Sequence, residues 1–99
     1  MTEKRRYRRR SLMYKVIYSN AEDPQKETGT ISTDISLGGI GLRMKKFVKG
    51  MRNLNFQIYG PHSRIPIKAK GRLVWQNRLR GRAGIQFTDI GWNKIKSLV

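Results

Sequence analysis

Short segments in which apolar and polar residues alternate recur along the chain, and they constrain its fold more than any other feature. In the first of them, apolar residues occupy every second position: Leu12, Tyr14, Val16 and Tyr18. Successive side chains of a β-strand point to opposite faces, so a period of two predicts a strand with one buried face. The alternate residues are expected on the other face: Met13, Lys15, Ile17 and Ser19.

The same period returns in later segments separated by turn residues. Residues 20–29 are polar and contain Pro24 and Gly29, which predicts a hairpin loop, and 30–35 are rich in β-branched residues, which predicts the next strand. Alternation continues over residues 40–44, 54–58, 65–75 and 84–87. Several short strands with almost no helical periodicity between them predict an antiparallel sheet closed into a small barrel or sandwich.

Three details of these segments carry separate predictions. Gly71, inside a strand pattern, predicts a bulge or bend. Trp75 lies in an alternating strand, which favours a core position over a ligand platform. The next segment is predicted to be a basic hairpin turn containing three arginines: Arg78, Arg80 and Arg82.

Helical periodicity is confined to the last residues. Trp92, Ile95 and Leu98 fall on one helical face together with Val99. This spacing predicts a short C-terminal helix that packs against one end of the barrel. The alternative is a helix that docks on a partner.

Length and composition limit the class of protein. A chain of 99 residues is the size of one domain, and it contains no apolar run of about 18 residues that a membrane-spanning helix needs. We therefore expect a cytoplasmic protein. The chain has no cysteine, and His62 stands alone among turn residues, so we expect no disulfide and no metal site.

Charge points to an anionic partner. Lysine and arginine number 22 against 6 aspartates and glutamates, for a formal net charge of +16. Such a chain attracts nucleic acid, nucleotides, acidic proteins or anionic lipid. The few carboxylates include no pair suited to acid and base catalysis, and no nucleophile lies beside a candidate base. We therefore expect a binding protein and not an enzyme.

Basic residues are densest in the first ten positions, which include the run KRRYRRR. We expect residues 1–10 to form a flexible basic arm and residues 11–99 to form the folded domain. Two registers of an Arg-x-x-x-Arg pattern fit, Arg5 with Arg9 and Arg6 with Arg10. The charge by itself is equally compatible with a solvated tail that contacts nucleic acid without specificity.

A second motif, Asp34-x-Ser36-x-x-Gly39, lies between two predicted strands, 25 positions after Arg9. Taken alone, it is typical of a turn in which short side chains cap the backbone and glycine relieves strain. Its position after the arginine motif is what makes it informative.

The arginine motif, the Asp34 motif, residues 71–75 (GRLVW) and residues 84–87 (GIQF) together resemble the PilZ domain family over nearly the whole chain. The resemblance implies a six-stranded antiparallel β-barrel with a C-terminal helix that binds the bacterial second messenger cyclic di-GMP, with no other cofactor. It also implies a receptor acting on motility, biofilm or exopolysaccharide machinery through a downstream protein partner. The implied ligand-binding residues are Arg5, Arg6, Arg9, Arg10, Asp34, Ser36 and Gly39.

The residue types suit that ligand. Arginine grips phosphate, pairs with a guanine edge and stacks on a purine, whereas the Asp34 carboxylate accepts hydrogen bonds from guanine N1 and N2. We prefer Arg5 and Arg9 as the primary pair, with Arg6 and Arg10 as secondary contacts. Ser36 is expected to add a hydroxyl contact, and Gly39 to let backbone amides approach. The doubled Arg5-Arg6 resembles the form of the motif associated with a stacked, intercalated ligand dimer.

Two alternatives remain open. The first is a small basic barrel that binds single-stranded nucleic acid, although Tyr14, Tyr18, Phe56 and Phe87 fall on the apolar, inward faces of their strands. The second is an interaction adaptor with the family fold but no ligand. The presence of both motifs argues against the adaptor.

Overall fold

The computed structural model describes residues 13–44, 53–60 and 64–90. These residues form six strands: β1 Lys15–Asn20, β2 Asp23–Ile35, β3 Gly39–Arg43, β4 Asn53–Tyr59, β5 Ile67–Asn77 and β6 Arg82–Ile90. All of the strand pairs are antiparallel, and they close into a barrel in the order β1-β2-β3-β6-β5-β4. The predicted six-stranded antiparallel barrel is confirmed. The predicted arm over residues 1–10 and the predicted helix over residues 92–99 lie outside the described residues.

The inward faces of the strands form one apolar core, because alternate residues of each strand point inside the barrel. Its buried members are Val16, Tyr18, Ile35, Ile40, Leu42, Met44, Leu54, Phe56, Ile58, Ala69, Ala83 and Ile85. Phe87 and Tyr14 pack against this core while partly exposed. The inward placement predicted for the strand aromatics other than Trp75 is therefore confirmed.

Gly71 makes room for the largest core side chain. The register of β5 against β6 shifts between Lys70 and Gly71, so the predicted bulge is present. A Cβ atom on Gly71 would lie 3.0 Å from Cε2 of Phe56 and 2.5 Å from Cγ2 of Ile85. Glycine is therefore required here by close packing inside the barrel.

Two boundaries differ from the sequence-based prediction. A hairpin loop was predicted over residues 20–29, but the structure has only a short turn at residues 21–22. The turn is tight because the Glu22 amide donates to Asn20 Oδ1 at 3.0 Å. The polar residues that follow belong to β2. The strand predicted from Ile65 begins at Ile67, and Ile65 itself is 80% exposed.

Tyr18 is a structural tyrosine on the inward face of β1. Burial raises the pKa of its phenol, while a hydrogen bond with the Thr28 side chain acts in the opposite direction. The folded state therefore favours the neutral phenol. That contribution to stability is complete below the ordinary tyrosine pKa and is lost as the pH rises through the raised value.

We expect Phe56→Ala to lower the free energy of unfolding by about 3–5 kcal/mol, because it leaves a cavity against Gly71 at the centre of the barrel. Urea denaturation measures the change. Val74→Ala, at a site that is 54% exposed, is the control and should change stability by no more than about 0.5 kcal/mol. A similar loss in both variants would contradict the assignment of the core.

Candidate ligand-binding site

An extra residue in β2 turns Asp34 onto the outer wall of the barrel. The register pairs Ser32 with Leu42 and Asp34 with Gly41, so Thr33 and Asp34 together oppose the single residue Gly41. Ser32 is buried on the inner side, whereas Asp34 is half-buried. A β-bulge of this kind re-aims the side chains next to it.

The Asp34 carboxylate lies flat against the backbone of β3 because Gly41 has no side chain. A Cβ atom on Gly41 would collide with Asp34 Oδ1 and would lie 2.6 Å from Thr33 Oγ1. The Thr33 hydroxyl donates to Asp34 Oδ1 at 2.9 Å and so helps to orient the carboxylate. Asp34 is thus held on the outside of the barrel and not turned into its interior.

A second extra residue, in β5, turns Trp75 onto the outer wall of the barrel. The register pairs Leu73 with Ile85 and Trp75 with Gly84, which leaves Val74 as the extra residue. Val74 and Trp75 both face outward, and Trp75 is 52% exposed. The prediction that Trp75 is a core residue is therefore wrong, because it assumed unbroken alternation. A Cβ atom on Gly84 would collide with the indole.

These two arrangements meet at the centre of the wall. Gly41 and Gly84 are directly opposite each other on β3 and β6. Directly opposed positions place their outer substituents roughly 5 Å apart. The Asp34 carboxylate and the Trp75 indole therefore lie side by side, each over one glycine. We call Asp34, Gly41, Gly84 and Trp75 the glycine-backed surface.

Two arginines lie next to this surface. Arg43 and Arg82 are opposite each other, two residues along β3 and β6 from Gly41 and Gly84, and both are exposed. A step of two residues is roughly 6.6 Å along a strand and returns to the same face. Because directly opposed like charges repel, an anion between the two guanidinium groups would stabilise this arrangement.

Ser36 and Gly39 serve the turn between β2 and β3. The Ser36 hydroxyl accepts from the amides of Gly38 and Gly39, both at 3.2 Å, and the Ser36 amide donates to the Gly39 carbonyl at 2.9 Å. Ser36 is buried, with 3% exposure. A Cβ atom on Gly39 would collide with the Ile85 carbonyl, so this glycine permits close strand pairing.

The described residues thus bring Asp34 to the outer wall and keep Ser36 inside the adjacent turn. Arg5, Arg6, Arg9 and Arg10 lie outside the described residues. Gly41 and Arg43 were not predicted from the sequence, whereas Gly84 was noted only within the segment GIQF and Arg82 only within the basic hairpin turn. Trp75 was predicted on the wrong face. Two signals were available: glycines at alternate positions in Gly39-Ile40-Gly41, and three consecutive apolar residues at 73–75, which break the alternation.

A separate cleft of about 400 Å³ lies outside this surface, lined in part by Glu27, Asn55, Lys68, Lys70 and Asp89. Across the part of the chain that the structure describes, no group of three or more potential metal ligands comes together. Nor does any helix in those ranges have the length and apolarity needed to cross a membrane.

Solved structures of similar fold include those of three bacterial proteins. The first is the inhibitor of motility MotI (DgrA) of Bacillus subtilis, with a TM-score of 0.72, 20% identity and coverage of 98% of this chain and 48% of that one. The chain thus spans about half the length of MotI. The second is the PilZ domain of CeSA from a cellulose-synthesizing bacterium, with a TM-score of 0.68, 17% identity and coverage of 92% and 90%.

The third is the PilZ domain of YcgR from Escherichia coli, solved with cyclic di-GMP, with a TM-score of 0.65, 16% identity and coverage of 98% of this chain and 89% of that one. No curated protein matches the chain in sequence. The family model of the PilZ domain matches residues 3–99. The chain therefore belongs to the PilZ domain family.

Proposed function

We propose that the chain is a receptor for cyclic di-GMP and binds it on the glycine-backed surface. The observation that carries the proposal is the pairing of the Asp34 carboxylate with the exposed Trp75 indole over two opposed glycines. The carboxylate accepts the N1 and N2 hydrogens of a guanine edge, and the indole offers a stacking face. Family membership and the bound ligand of the YcgR domain support the same ligand.

Arginine side chains bind the phosphates of the ligand in this proposal. Arg43 and Arg82 stand beside the glycine-backed surface, where a guanidinium fork can accept a phosphate with two parallel hydrogen bonds. In this proposal they hold one phosphodiester while a guanine rests on Trp75. Ser36 and Gly39 act as positioning residues, because they shape the turn that fixes the end of β2 next to Asp34.

The remaining contacts come from the N-terminal arginines. Tyr14 is hydrogen-bonded to Ser32, since its amide donates to Ser32 Oγ at 2.8 Å and its carbonyl accepts from the Ser32 amide at 2.9 Å. Ser32 precedes Asp34 by two residues on β2. Arg9 is five positions before Tyr14, a span of up to roughly 17 Å, so its reach includes Asp34. Arg5 and Arg9 are the primary contacts in the proposal, and Arg6 and Arg10 the secondary ones.

Ligand binding then orders the N-terminal arm across the wall and presents a new surface to a downstream partner. We place that partner in motility, biofilm or exopolysaccharide machinery and the receptor in the cytoplasm. The doubled Arg5-Arg6 favours a stacked pair of ligands per protomer. The chain acts by binding, without catalysis, in this proposal.

The exposed Trp75 beside Arg43 and Arg82 also favours a second candidate function, because an aromatic platform next to cations is how many proteins hold single-stranded nucleic acid. Cyclic di-GMP uses the Asp34 carboxylate, whereas nonspecific binding of nucleic acid gains nothing from this group, which would repel the phosphate backbone. The dependence of binding on Asp34 therefore separates the two candidates.

Calorimetric titration with cyclic di-GMP should give saturable heat at micromolar ligand, and the fitted stoichiometry distinguishes one ligand from a stacked pair. Asp34→Ala and Arg9→Ala should each weaken binding by at least about tenfold, because each removes a charge-assisted hydrogen bond. The matched controls are Asp89→Ala and Arg64→Ala, which remove an exposed carboxylate and an exposed guanidinium elsewhere. GMP and cyclic GMP serve as competitors.

Absence of saturable heat, or affinities unchanged by Asp34→Ala and Arg9→Ala, would refute the receptor. Binding of labelled oligonucleotides that weakens steeply with salt, shows no base preference and is indifferent to Asp34→Ala would support the nucleic-acid alternative.

A second experiment tests the contribution of the indole and its glycine support. Trp75→Ala should weaken cyclic di-GMP binding by about tenfold, the usual scale for one lost base stack. Gly84→Ala should also weaken it, because the added methyl group displaces the indole from the wall. Val74→Ala and Gly29→Ala are the controls, since a Cβ on Gly29 meets nothing within 4 Å. Equal affinities in all four variants would remove Trp75 from the site.

A further inference from the structure

The turn between β5 and β6 presents Leu79 entirely to solvent, with 100% exposure. The turn itself is well fixed. The Arg80 amide donates to Asn77 Oδ1 at 3.1 Å, and Gly81, at a φ of 63°, supplies the left-handed conformation that glycine favours. The Gly81 carbonyl accepts from the Met44 amide at 2.7 Å. A leucine is therefore held outward on an ordered support.

Arginines surround this leucine. Arg78 and Arg80 flank it in sequence, and Arg82 and Arg43 are paired at the base of the same turn. We call these four arginines and Leu79 the basic tip. Among the described residues, the side chains of Arg43, Arg80 and Arg82 form no ion pair. The guanidinium groups of these three arginines are thus available to an external anion, and arginine is well suited to binding phosphate.

Two further apolar side chains extend from the same hairpin. The bulge in β5 turns Val74 and Trp75 outward, with exposures of 54% and 52%. An isolated exposed leucine is ordinary on a protein surface. Leucine, valine and tryptophan together on one hairpin, bordered by arginines, have the composition of a surface that enters the interface of a lipid bilayer.

We propose that the basic tip docks on an anionic membrane surface, with Leu79 in the boundary between headgroups and acyl chains and the arginines on lipid phosphates. The shape of the tip favours lipid over an acidic protein. Leu79 is fully exposed in the turn between β5 and β6, so a protein partner would have to supply the whole pocket. A bilayer accommodates a projecting side chain without a preformed cavity.

The expected affinity is modest and reversible. Each arginine near an anionic surface contributes about a fivefold gain in binding, and insertion of the leucine contributes about tenfold. These gains together resemble those of a single acyl anchor, which binds membranes only transiently. Such a contact is suited to regulation and not to permanent attachment.

Sedimentation with vesicles tests the docking without any second messenger. The chain should bind vesicles of equimolar phosphatidylcholine and phosphatidylglycerol, and bind pure phosphatidylcholine at least about tenfold more weakly. Leu79→Ser should lower the affinity about tenfold and Arg80→Gln about fivefold. Their matched controls are Ile65→Ser and Arg64→Gln, which remove the same groups from the segment before β5. Unfolding midpoints establish that all four variants are folded.

Equal effects of the tip variants and their controls would overturn the proposal, since binding would then reflect only the net charge of the whole chain. Failure of the unmodified protein to bind anionic vesicles would also overturn it. Neither result depends on cyclic di-GMP, so each is distinct from a failure of the proposed receptor function.

A coupling between membrane docking and cyclic di-GMP binding also follows, and this coupling rests on the proposed function. Arg43 and Arg82 belong to the basic tip and lie next to the glycine-backed surface, and Trp75 belongs to that surface and to the same hairpin as Leu79. A bound dinucleotide would therefore occupy groups that the membrane needs. Saturating cyclic di-GMP should therefore lower vesicle affinity by at least about fivefold, and vesicles should lower ligand affinity by the same factor. If the ligand binds by calorimetry and vesicle affinity is unchanged, the two surfaces do not share these groups and the coupling is wrong.

Discussion

The outer wall of this barrel depends on two strand bulges placed opposite two glycines. Each bulge adds one residue to a strand, and the extra residue turns a neighbouring side chain outward. Asp34 and Trp75 then lie against the wall because Gly41 and Gly84 have no Cβ atoms to hold them away. The carboxylate and the indole are neighbours because β3 and β6 have no side chains at these two positions.

The barrel behind this wall makes the arrangement rigid. Closure of the sheet pairs every described strand on both sides, so neither bulge lies on a free edge. Phe56 fills the interior against Gly71, and the buried Ser36 holds the turn that precedes β3. The residues of the Asp-x-Ser-x-x-Gly motif thus have different roles. Asp34 lies on the outer wall, whereas Ser36 and Gly39 stabilise the turn next to it.

Charge and geometry have different roles in this molecule. The net charge of +16 attracts any polyanion and sets the rate of encounter, but it does not distinguish one anion from another. Discrimination requires groups at fixed distances. The opposed Arg43 and Arg82 beside Asp34 provide cations and an acceptor on one face, which is the combination a guanine nucleotide requires. The same arginines continue into the basic tip.

Much of the fold was accessible from the sequence because the core obeys local periodicity. Val16, Tyr18 and Phe56 fall on the buried faces that alternation predicts, and Gly71 marks a bulge as expected. The family resemblance named six strands and the barrel, and the position of Asp34 in its motif predicted a residue near the end of β2. The basic composition and the hairpin turn around Leu79 were also evident from residue types alone.

What only the tertiary structure decided is where the alternation breaks and which strands become neighbours. A bulge reverses the face of every residue beyond it, so Trp75 moved from an expected core position to the outside. The pairing of Gly41 with Gly84 joins residues far apart in the sequence, and no local pattern encodes that contact. Sequence determined the strands, the core and the charge; the closure of the barrel determined that a carboxylate and an indole share one surface.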